Sequence, residues 1–214
     1  MKTAKALLGI ALVLSALTGC ATVNVWGTRI VTGRVTDASG QSVAGTPVVV
    51  VGRSLELSFL RMQYEERGRQ DVKALTNAEG RYRIEFMPAK IGNDFTLFFY
   101  ADTGFDWVKY RRSDPLDIGD RLKGDRPVEV DHVLQFQSTW PEVERQIAYY
   151  GAETERGRIL QQHGLPDRRE TPPGGGGADE VWWYSAEGVS YRFSGGTLTQ
   201  TNTFPPGQQG TAPR

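Results

Sequence analysis

Between Ile30 and Phe136 apolar and polar residues exchange places with a period of two. Val31, Gly33 and Val35 alternate with Thr32, Arg34 and Thr36, and Tyr82, Ile84 and Phe86 alternate with Arg81, Arg83 and Glu85. Successive side chains of a strand point to opposite faces, so each run predicts a strand with one buried face. Pro47 opens a run of four valines suited to a core strand. Phe95–Ala101, Trp107–Tyr110 and Val128–Gln137 are further candidates; in the last, Val128, Val130, His132, Leu134 and Phe136 share a face. Asp37–Gly40 and Asn77–Gly80 supply turn chemistry between runs. Short strands with regular turns and no intervening helical periods predict a mainly β fold, a sandwich or barrel, rather than parallel α/β.

One stretch, Arg53–Ala74, breaks the alternation with a dense mixture of charges and is long for a sandwich connection. It predicts a solvated hairpin or loop. Its apolar residues Phe59, Leu60, Met62 and Tyr64 either cover the sandwich edge or meet a partner.

At Ser138 the period lengthens. Thr139-Trp140-Pro141-Glu142 has the form of a capping box with proline in the first turn, and a second helix is predicted over Glu153–His163, with Ile159 and Leu160 inward and Gly164 as its cap. Pro172–Gly177 is a flexible loop without the Lys-Ser/Thr that closes a phosphate cradle. Three short strands follow around Glu187-Gly188 and Gly195-Gly196, so this part predicts two helices and a three-stranded antiparallel meander. Trp182 and Trp183 must point to opposite faces of one strand, which leaves one exposed unless something covers it. Trp182, Trp183 and Tyr184, with Phe59 and Tyr64, therefore form the candidate partner surface.

The amino terminus has its own pattern. Lys2 and Lys5 precede a 12-residue apolar run, Ala6–Leu17, which ends in Leu17-Thr18-Gly19-Cys20. A bilayer span needs about 20 apolar residues, so the run fits a secretory leader. Cys20 is the only cysteine, and no disulfide framework is expected. The expected organisation is a leader over 1–19, a linker over 20–29, a sandwich over 30–138, a small α+β domain over 139–204 and a disordered tail over 205–214.

Charge adds one exclusion. Lysine plus arginine equals aspartate plus glutamate at 25 each, and loss of Lys2 and Lys5 with the leader leaves a slight acidic excess. A general nucleic-acid binder needs the opposite balance.

Three resemblances follow from these residues. Leu17-Thr18-Gly19-Cys20, behind a basic start and a short apolar run, resembles the lipobox of bacterial lipoproteins. That resemblance implies cleavage between Gly19 and Cys20 and a diacylglycerol on the Cys20 thiol. Ala21, in place of an aspartate, leans toward the outer membrane. Gly33, Val35, Asp37, Gly40, Pro47, Thr76, Asn77, Gly80 and Tyr82 resemble the pattern of carboxypeptidase regulatory-like domains, with extra residues between Gly40 and Pro47. This implies a seven-stranded transthyretin-like sandwich, a class composed mostly of structural or binding modules. Gly164, Pro166, Trp183, Tyr184, Phe193, Gly195, Gly196 and Leu198 resemble the small-protein-A/outer-membrane-lipoprotein-A family, which includes the small lipoprotein subunit of the β-barrel assembly machinery.

Catalytic chemistry is harder to find. His132 falls in register with apolar neighbours and His163 in the last turn of a helix, where its cation would suit the dipole. Asp114, Asp117 and Asp120 do not have EF-hand spacing and read as turn residues, and no Gly-x-Ser-x-Gly occurs. The expectation is a periplasm-facing lipoprotein held to the outer membrane by its lipid. It has no cofactor, metal site or catalysis, and it acts as a structural, assembly or protein-binding factor of the envelope. A carbohydrate-binding accessory protein or enzyme is the alternative.

Overall fold

A computed structural model describes residues 27–172 and 179–207. The leader, Gly19, Cys20, most of the glycine-rich loop and the end of the tail lie outside the described residues. The chain is mainly β and forms two units, a β-sandwich and a small α+β unit. The first comprises the chain up to Phe105 together with Ser113–Leu134, and the second Asp106–Arg112 together with the chain from Gln135.

One sheet of the first unit is built on β1 (Arg29–Asp37), which pairs antiparallel with β4 (Arg81–Phe86). On its other side β1 pairs parallel with β7 (Val128–Glu129) and β8 (His132–Leu134). The second sheet has the order β3-β2-β5-β6, from β2 (Pro47–Ser58), β3 (Gln63–Leu75), β5 (Asp94–Phe98) and β6 (Leu116–Asp117). The alternation of β4 is fully expressed, with Tyr82, Ile84 and Phe86 buried and Arg81, Arg83 and Glu85 exposed. Phe86 of the first sheet meets Phe95 of the second with ring centres 6.1 Å apart, and Tyr82 meets Phe99 at 6.0 Å. Such inward faces supply the burial that drives sheets together.

The run expected as one strand over 128–137 is interrupted. Val130 leaves the ladder at Gly33, where a Cβ would stand 1.9 Å from the Val130 carbonyl oxygen. The Tyr82 hydroxyl donates to that oxygen at 2.7 Å and the Asp131 carboxylate accepts from the Arg34 amide at 2.7 Å. Trp107–Tyr110 is not a strand: Tyr110 makes only an isolated bridge to Phe136, and both belong to the second unit. Asp117 accepts from the Gly119 amide at 2.8 Å, a local turn bond.

In the second unit, helices follow the one-turn α1 (Pro88–Ile91) of the first as α2 (Trp140–Tyr150) and α3 (Glu155–His163). The capping box is not formed. Thr139 already has helical dihedrals and its side chain caps nothing, because the chain begins to turn one residue earlier with the Trp140 amide on the Gln137 carbonyl. Thr154 does cap α3, accepting from the Gly157 amide at 3.1 Å. The sheet has four strands rather than three: β9 (Arg168–Glu170) joins β10 (Glu180–Tyr184), β11 (Val189–Ser194) and β12 (Thr197–Thr203). β9 is too short and too polar to register as a period of two. Val143, Ile159, Leu160, Trp182, Tyr184 and Phe193 form the core.

Candidate functional site

The aromatic strand β10 holds the first expected site. Trp182 has 0% of its surface exposed and Trp183 2%, and Tyr184 is equally enclosed. The two tryptophans do point to opposite faces, but both faces are covered. Trp182 packs on Phe193 and Tyr150 beneath the helices, with Arg156 over the same rings and paired with Glu180 at 3.5 Å. On the far face Phe204 lies against Trp183 with ring centres 5.7 Å apart, Arg168 stacks on it, and its indole N–H donates to Glu170 at 3.2 Å. Gly188 permits this cover: it takes φ +68°, and a Cβ there would meet the Phe204 carbonyl oxygen at 2.1 Å. The expected surface of Trp182, Trp183 and Tyr184 is therefore corrected to a core and its lid.

Phe59 and Tyr64 are placed differently. Phe59 is the first residue of the turn of the β2–β3 hairpin and Tyr64 lies just after that turn in β3, both in the first unit. Phe59 is 81%, Leu60 100% and Met62 78% exposed, so these side chains do not cover a sandwich edge.

A third place was not singled out by sequence. Within the second unit, Trp107, Val108, Gln137, Thr139, Gln162, His163, Gly164, Leu165 and Glu187 line a cleft of about 370 Å³. His163 ends α3 and holds both ring nitrogens in contacts: Nδ1 with the Glu187 carboxylate, and Nε2 with the Tyr191 hydroxyl at 2.8 Å. Burial and the Glu187 charge raise the Tyr191 pKa, which keeps the phenol protonated. Tyr184 donates its hydroxyl to the Gly164 carbonyl at 3.0 Å and so ties β10 to the end of α3. Burial pushes its pKa up as well. The cleft thus combines a half-exposed indole, two amides, a hydroxyl and a carboxylate-held imidazole. This set suits a small polar ligand with one apolar face. No sequence spacing announces it, because His163, Glu187 and Tyr191 come from a helix end, a turn and a strand.

His132 is placed elsewhere, stacked on Phe99 at 4.0 Å with its Nε2 2.7 Å from the Ser113 hydroxyl. Burial lowers its pKa. Among the described residues no group of three or more His, Cys, Asp or Glu is placed to hold a metal ion. No helix among them is long and apolar enough to cross a membrane.

No protein-family model and no curated protein matches the chain. Solved structures that are similar in part include two enzymes. A 9R-lipoxygenase from Cyanothece PCC8801 is 13% identical at a TM-score of 0.32, over 64% of this chain and 24% of that one. A 3-chlorocatechol 1,2-dioxygenase from Rhodococcus opacus 1CP is 14% identical at a TM-score of 0.27, over 53% of this chain and 61% of that one. The chain thus spans less than two thirds of the length of either. Both are enzymes, and the expectation that this chain is not an enzyme is not retained beside them. Scores this low assign it no activity or substrate.

Proposed function

We propose that the protein is a lipoprotein of the bacterial outer membrane, anchored through Cys20 and facing the periplasm, that binds another envelope protein in a structural or assembly role. The observation that carries the reading is the coincidence of a basic start, a 12-residue apolar run and Leu17-Thr18-Gly19-Cys20. A single acyl chain binds a membrane only marginally, so the several chains implied by the lipobox resemblance are what a stable anchor requires. The resemblances to regulatory-like sandwich domains and to the small-protein-A family support the binding role.

A second reading has one observation in its favour. The cleft beside His163 and Glu187, with Trp107 39% exposed among its lining, suits a glycan, either retained or acted on. Crosslinking in intact envelopes separates the two. Repeated capture of one envelope protein is expected under the first reading. Retention of glycan by the purified chain without such capture would overturn it in favour of the second.

A further inference from the structure

We propose that the tip of the β2–β3 hairpin is a second membrane contact, inserting Phe59, Leu60 and Met62 into the bilayer to which Cys20 is anchored. The inference rests on the anchored reading above. Turns normally carry Gly, Asn, Asp, Ser or Pro, whereas the turn between β2 and β3 is Phe59-Leu60-Arg61-Met62. Met62 sits at φ +51°, the left-handed region that glycine or asparagine enters at least cost. The hairpin thus keeps a large apolar side chain where the backbone disfavours one, and strain of this kind gathers at functional segments.

The ribbon leaves the sandwich cleanly. β2 pairs with β5 only from Val49 to Arg53, and Asn93 makes the last clamp, accepting from the Leu55 amide at 2.8 Å and donating to its carbonyl at 2.9 Å. Beyond Leu55 three residues of β2 pair only with β3 before the turn, a reach of roughly 10 Å. That matches the shallow depth at which interfacial segments bury their apolar faces. The neck is charged but has no basic excess: Arg67 pairs with Glu56 at 3.4 Å and with Glu65 at 3.1 Å, Arg61 pairs with Glu65 at 3.2 Å, and Glu66 adds a further negative charge. The apolar cap, not a net charge, would carry the binding.

The position of the anchor selects a lipid surface over a protein. Arg29, where β1 begins, pairs with Phe86, the end of β4. The chain then passes through α1 directly to Gly92 and Asn93, which meet Arg53 and Leu55 at the root of the hairpin. The strand entered from Cys20 and the protruding tip therefore share one end of the sandwich. Arg29 follows Cys20 by nine residues, which reach at most about 30 Å. A lipid on Cys20 holds that end, and the tip with it, close to the bilayer.

Because Cys20 is acylated in this reading, Leu60→Cys adds the sole free thiol. The lipidated full chain is spin-labelled there, with Ala78→Cys in the exposed β3–β4 turn at the opposite end of the sandwich as a control, and both are reconstituted in protein-free phosphatidylethanolamine/phosphatidylglycerol vesicles. The label at 60 is expected to collide more with oxygen than with a water-soluble nickel chelate, and the label at 78 the reverse. Adding Phe59→Ser and Met62→Ser should lower the inserted-to-exposed ratio about tenfold or more. A chain that floats with the vesicles while position 60 stays open to nickel overturns this proposal alone. One that does not float overturns the anchored reading and the proposal with it. Shielding that arises only when envelope proteins are added also overturns it, in favour of a protein partner.

Discussion

His132 and His163 show how the same side chain takes opposite roles from its surroundings. His163 is held by hydrogen bonds at both nitrogens beside an open cleft, whereas His132 lies flat on Phe99 and is partly desolvated. Desolvation lowers the folded-state pKa of His132 below its ordinary 6.5. Between that lowered value and about 6.5 the unfolded chain holds more protons than the folded one. Stability should therefore rise with pH through this window and fall as the pH drops through it. Urea midpoints at about pH 5 and about pH 7.5 should differ, and His132→Gln should reduce the difference. An unchanged difference would assign the slope to other groups. Sequence placed His132 correctly among apolar neighbours, but its ring partners come from Phe99 and Ser113, which no local pattern links to it.

Among the elements, the legible ones are those with one wet and one dry face. β1 and β4 were readable because Val31, Val35, Tyr82, Ile84 and Phe86 are buried at alternate positions. β3 was not readable as a strand, since it is the edge strand of its sheet and is exposed along nearly its whole length, leaving no period to see. β9 was missed for the same reason, at three residues of charge. Phe204 lies outside any strand yet decides the fate of Trp183, which a strand pattern alone leaves uncovered. Phe204→Ala should expose the Trp183 indole, raise acrylamide quenching of tryptophan fluorescence, and cost about 1–2 kcal/mol of stability. If quenching is unchanged, Phe204 is not the cover.

At the scale of the whole molecule, the division into a sandwich and a small α+β unit was visible as the change of period near Ser138. The assignment of Asp106–Arg112 to the second unit was not. That segment joins late in the chain's own order: the Arg111 amide donates to Gln135 and the Gln137 amide to Lys109, pairings that a period-two pattern cannot specify. The cleft near His163 depends on this crossing, because Trp107 and Val108 help to line it. The proposed location, in contrast, rests on the first twenty residues alone. The claim that unites the anchor, the hairpin and the proposed role is lipidation of Cys20. Its most direct test is the mass of the amino-terminal peptide from protein isolated from membranes of a bacterial cell. The predicted result is a chain beginning at Cys20 with diacylglycerol on its sulfur. A chain that begins at Met1, or one whose Cys20 carries a free thiol, would contradict it.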